Sequence, residues 1–180
     1  MAITKIAQVD VGSGGASSIS FSSIPATYTD LQILLSCKTT NAGNGIILLN
    51  INSITSSTYT TEQLRGESGV SAIYQGGWGL NTSTVLGLTG GTNVTANTFA
   101  SFNIYIPNYA VNSTKYFSSE YAKESNDITL YENGISTGNQ TSSAIISSIQ
   151  LTAFTVNFAQ YSSATLYGIS KSGATGASVS

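Results

Sequence analysis

The chain has 180 residues, of which only 8% are charged: six basic and eight acidic side chains, no histidine, and a net charge of −2. Chemistry at neutral pH draws on titratable groups, so the missing imidazole excludes Ser-His-Asp and Cys-His nucleophiles, and a single cysteine excludes zinc sites. Six thinly spread cations argue against neutralising a phosphate backbone, and the expectation is a protein with no nucleic-acid partner, no metal and no cofactor.

The opening residues Met1-Ala2-Ile3-Thr4-Lys5 carry no long apolar run, and nowhere do 18 apolar residues follow one another, so neither a signal peptide nor a membrane span is expected. Short apolar runs and period-2 alternation then dominate, and both are strand signals. Residues 3–9 and 17–21 read as an opening strand pair around the loop Val11-Gly12-Ser13-Gly14-Gly15. That loop has neither the spacing nor the following helix of a phosphate cradle. Residues 31–37 place Leu31, Ile33, Leu35 and Cys37 on one face. The single Cys37 therefore reads as a small buried hydrophobe.

After the turn cluster Asn41-Ala42-Gly43-Asn44-Gly45, residues 46–52 are apolar on both faces, as a central strand would be. Thr60-Thr61-Glu62-Gln63-Leu64-Arg65 has a Thr with Gln three residues on and Gly66 behind it, a minimal helix signature. Residues 70–75 and 84–89 are weaker strand candidates, separated by Gly76-Gly77-Trp78-Gly79. Residues 99–106 put Phe102, Ile104 and Ile106 on one face. Strands are expected over 114–123 and over 127–132, the latter ending at an Asn133-Gly134 turn. Ile145, Ile149 and Leu151 align over 145–151, Phe154, Val156 and Phe158 form another alternating set, and residues 164–169 make the last strand. The expectation is one all-β domain over residues 1–170, an antiparallel β-sandwich of jelly-roll type with very little helix, followed by a Gly/Ser/Thr-rich tail over 171–180.

Glu120, Glu124, Asp127 and Glu132 lie close in sequence, and paired carboxylates are the parts of a glycosidase. The reading favoured is a solvated face that protects a sheet edge, and calcium at Glu124, Asn126 and Asp127 does not match the spacing of an EF-hand. The expectation is therefore no catalysis. Trp78, flanked by glycines, reads as a loop aromatic that stacks on a sugar, anchors a neighbouring subunit, or packs on its own domain. Lys171 and Ser172, at the head of the tail, join Trp78 as candidate contact residues. Pro25 ends an element at Ile24, Tyr28 is expected to pack with its hydroxyl on a backbone group, and Asp30 to cap its own turn. Gly168 admits a bulge or a close contact.

Two segments, Phe21-Ser22-Ser23-Ile24-Pro25-Ala26-Thr27-Tyr28-Thr29-Asp30-Leu31 and Tyr161-Ser162-Ser163-Ala164-Thr165-Leu166-Tyr167-Gly168-Ile169, resemble small virion structural proteins of tailed bacteriophages. Ile104-Pro107-Asn108-Tyr109 and Ile145-Ser148-Ile149 also sit where that group carries similar residues. The resemblance implies an all-β protein exposed on the outer surface of the particle. Within it, low charge and Gly/Ser/Thr-rich ends suit a capsid decoration or cement protein. Such a protein binds the major capsid protein on the outer head and acts by passive contact, with a homotrimer as the expected oligomer. The alternative is a tail or fibre component that binds host-surface glycan through Trp78 and exposed tyrosines.

Overall fold

Strands form wherever alternation lets one face leave water. The computed structural model describes residues 1–67, 74–126, 131–142 and 144–171. Among them the regular structure is all strand, with no helix. In chain order the strands are β1 (Ala2–Asp10), β2 (Ser18–Phe21), β3 (Asp30–Cys37), β4 (Gly45–Ile51), β5 (Tyr59–Glu67) and β6 (Tyr74–Asn81). There follow β7 (Thr84–Thr89), β8 (Ala100–Ile106), β9 (Lys115–Lys123), β10 (Glu132–Gln140), β11 (Ile149–Ala153) and β12 (Ser163–Ser170). They build an eight-stranded antiparallel sheet of order β1-β12-β3-β8-β9-β10-β5-β6 and a four-stranded one of order β2-β11-β4-β7.

One cluster of buried side chains joins the sheets. The small sheet gives it Ile19, Phe21, Ile47, Leu49, Ile51, Leu86, Ile149 and Leu151; the large sheet gives Leu31, Ile33, Leu35, Cys37, Phe102, Ile104, Ile106 and Leu166. Within the large sheet Leu166, Ile33, Ile104, Ser119, Ser136 and Gln63 lie opposite one another in a single inward row. The row begins apolar and ends polar. Under its polar end hydrogen bonds to β7 replace apolar packing. Ser136 donates to the Val85 carbonyl, the Val85 N–H to Thr61 at 3.0 Å, and Thr84 to the Thr60 carbonyl at 3.3 Å.

Glycine is required where the layers touch. Gly87 has φ +146°, and a Cβ there would lie 2.4 Å from the Tyr121 ring. At Gly168 a Cβ would lie 2.3 Å from the Tyr28 ring, so the close contact expected of Gly168 is made by a side chain.

Several expectations are corrected. Residues 60–65 are strand β5, not helix, because pairing with both β10 and β6 outweighs a weak local capping signal. β1 and β2 do not pair; β1 joins β12 in the large sheet and β2 joins β11 in the small one. Asn133-Gly134 is not a turn but lies inside β10, between β9 and β5. Trp78 is not on a loop but in β6, opposite Thr61. Ile146, not Ile145, is buried, and Phe154 is exposed while Phe158 is core. Residues 70–73 and 127–130, on which two expected strands partly fall, lie outside the described residues, as do 172–180 of the expected tail.

The apolar half should carry most of the stability. Ile104 is fully buried, so Ile104→Ala should cost about 2–5 kcal/mol in urea unfolding, and a change no larger than that of a surface control would show the register to be wrong. Burial pushes the Cys37 thiol up to about 12, with the Thr89 side chain acting weakly in the other direction. A thiol reagent should therefore leave the native protein unmodified and titrate one group in urea.

Candidate functional site

Half of each strand in the large sheet faces away from the small sheet. On this outer face Thr165, Leu34, Asn103, Glu120, Ile135 and Leu64 lie opposite one another in one row. Leu34 is 45% exposed, Ile135 48% and Leu64 50%. These are large apolar side chains on regular strands that no described element covers. The face curves into a recess of about 1090 Å³ whose walls include these three with Tyr131, Ser36, Ser101, Asn133 and Ser163. Arg65 and Glu120 are the charged residues that line it, and the Arg65 guanidinium is 3.4 Å from the buried Glu132 carboxylate. A smaller recess of about 370 Å³ on the same face is lined by Tyr105, Tyr116 and Thr137.

A second exposed surface lies on the connection between β11 and β12, which shows Phe154 (57% exposed) and Tyr161 (70%) to solvent. The loop is fixed from beneath. Phe158 is fully buried and exchanges backbone hydrogen bonds of 2.8 and 3.0 Å with Ala16, while Ala159 N–H donates to the Lys38 carbonyl and Tyr161 N–H to the Val11 carbonyl. Thr155 and Tyr161 hold φ of +60° and +70°. Non-glycine residues take such angles at a cost, and only where the surroundings impose them. The two aromatics thus stand on a preorganised support.

Lys171 makes internal contacts. Its Nζ is 2.9 Å from Asp30 Oδ2, and its N–H donates to Thr29 Oγ1. Asp30, fully buried, does not cap its own turn. It accepts the Tyr105 hydroxyl at 2.6 Å and the Asn108 N–H at 2.9 Å, because the pairing of β3 with β8 brings that turn over it. Tyr109, not Tyr28, sends its hydroxyl to a backbone carbonyl, that of Pro25. Ser172 lies outside the described residues, and of Trp78 only the strand position is described.

The carboxylates do not converge. Glu120 is on the outer face of β9, whereas Glu132 is buried on the inner face of β10, where it accepts the Tyr121 hydroxyl at 3.1 Å. Two acids on opposite faces of one sheet cannot flank one bond, and the expected solvated face does not extend to Glu132. Glu124 is exposed and Asp127 lies outside the described residues. Among the described residues no three of His, Cys, Asp and Glu are grouped to hold a metal ion. Three of the lysines are held by oxygens of the chain itself. Lys115 caps the Val111 and Ser113 carbonyls, Lys38 those of Val94 and Thr95, and Lys123 donates to Asn44 Oδ1.

No family model, curated protein or solved structure matches the chain.

The Asp30 contacts set a pH dependence. Burial raises its pKa, but hydrogen bonds from Tyr105, Asn108 and Lys171, with the Lys171 charge, outweigh that and leave it below the ordinary 3.8. A depressed folded value stabilises above the unfolded pKa and is lost as pH falls through the folded one. Asp30→Asn should therefore be destabilising at about pH 6, and the gap to the parent should shrink towards about pH 2. A gap independent of pH in urea unfolding would mean that the carboxylate charge contributes nothing.

Proposed function

We propose that the chain is a non-catalytic structural protein of a phage particle, a decoration protein that binds the outer head surface through contacts with the major capsid protein. The observation that carries the reading is the rigid display of Phe154 and Tyr161. Exposed aromatics on a fixed support are the anchors on which protein interfaces concentrate their energy. A chain with few charges, whose cations are mostly committed internally, loses little on desolvation when such a surface is covered. The resemblance of the Phe21–Leu31 and Tyr161–Ile169 segments to virion proteins supplies the setting. Jelly-roll topology is part of the same proposal: β1 to β2, β3 to β4, β6 to β7 and β11 to β12 all cross from one sheet to the other, as the strands of two interleaved Greek keys do.

The mechanism is passive. A ligand that binds assembled shell in preference to free subunits shifts the equilibrium towards assembly. Particles without the protein should lose DNA at a lower temperature and still adsorb to cells. Phe154→Ser with Tyr161→Ser should weaken co-sedimentation with empty shells by about tenfold or more at an unchanged unfolding midpoint. Shells equally robust without the protein, together with failed adsorption, would move it to the tail and to the glycan-binding alternative.

A further inference from the structure

The recess on the outer sheet face sets Leu34, Leu64, Ile135 and Tyr131 among small polar residues, and of its two charged lining residues Arg65 is paired with Glu132 while Glu120 makes no hydrogen bond or ion pair with any described residue. Exposed apolar side chains beside an unpaired carboxylate call for an apolar partner carrying a cation. The protein displays such a surface itself. On β1, Ile3 is 58% exposed, and Lys5, two residues on and thus on the same side of the strand, is exposed with only Gln8 as a side-chain partner, at 2.6 Å.

Lys5 cannot reach Glu120 in its own chain. β1 and β9 stand four strands apart in the sheet, which is about 19 Å at 4.8 Å per strand. The two can meet only between copies. Nor can the face pair with itself about a two-fold axis through its centre, because Glu120 would then oppose Glu120. Pairing β1 of one copy to another sheet edge is discouraged too, since the register slips between Lys5 and Ala7 and a bulged, charged edge resists strand addition. Side-chain docking of that corner into the recess meets neither objection.

We propose that the recess receives the β1 corner of a second copy, with Ile3 against Ile135 and Leu64 and Lys5 on Glu120. Lys5 lies opposite Tyr167 and so shares the outer sheet face with Glu120; a two-fold axis midway between them makes the contact twice, and a closed dimer is expected. Phe154 and Tyr161 do not line the recess, and self-association measured with no shell present stands or falls independently of shell binding.

Sedimentation velocity on the purified protein, with no shell present, tests it. The parent should form a dimer. Glu120→Lys and Lys5→Glu should each weaken association by about tenfold or more, as loss of one partner of an interface charge pair does. The double variant should recover it. Both positions are exposed, and circular dichroism with an unchanged unfolding midpoint should show each variant folded. A parent that stays monomeric at high micromolar concentration overturns the proposal and leaves the recess to a different protein with a basic, apolar segment. An oligomer indifferent to both single changes, or one that the double variant fails to restore, also overturns it.

Discussion

The Tyr121 side chain joins the two halves of the interior, and the rest of the layering depends on it. Its ring stacks on Phe102 at 5.6 Å and 16°, which ties it to the apolar half. Its hydroxyl reaches Glu132, which pairs with Arg65, and this ties it to the polar half. Its underside rests on Gly87 of the small sheet, where no side chain fits. One residue therefore sets the spacing of the layers at the point where the inward row changes from Ile104 to Ser119. Burial and the Glu132 charge both push the Tyr121 hydroxyl up, so it stays protonated and remains a donor at any physiological pH.

That change of character inside has a consequence outside. Along β10 the inward positions are Glu132, Gly134, Ser136, Gly138 and Gln140, small or polar residues held by hydrogen bonds to β5 and β7. Ile135 and, on β5, Leu64 then point outward in reverse of the usual phase. The same inversion that makes half the interior polar leaves the outer face apolar. The result is a sheet face on which Leu34, Leu64 and Ile135 are exposed beside Glu120.

The apolar half of the fold was legible in the sequence. Leu31, Ile33, Leu35, Cys37, Phe102, Ile104 and Ile106 alternate strictly, and all are buried. β5 and β10 were not legible for the converse reason: their inward residues are polar, so the alternation that signals a strand is reversed or missing. In β5 this let a Thr and a Gln three residues apart stand for a helix cap. Phe154 was misplaced because alternation by itself does not say whether a strand has a neighbour; Phe158 is in the core and Val156 packs half-buried against it, but Phe154 is exposed.

The sequence by itself determined the strand content and which side chains are available for chemistry. A chain with no histidine, few charges and many β-branched residues has little to build an active site from and much to build sheets from. Tertiary structure decided which strands meet and therefore which side chains share a surface. Leu34, Glu120 and Leu64 are far apart in the chain and gather in one row only because β3, β8, β9, β10 and β5 pair in that order. Asp30 shows the same division. Its identity is local, but its partners Tyr105, Asn108 and Lys171 are set by strand pairing, since register is fixed by the sum of all burial across a sheet and not by any segment within it.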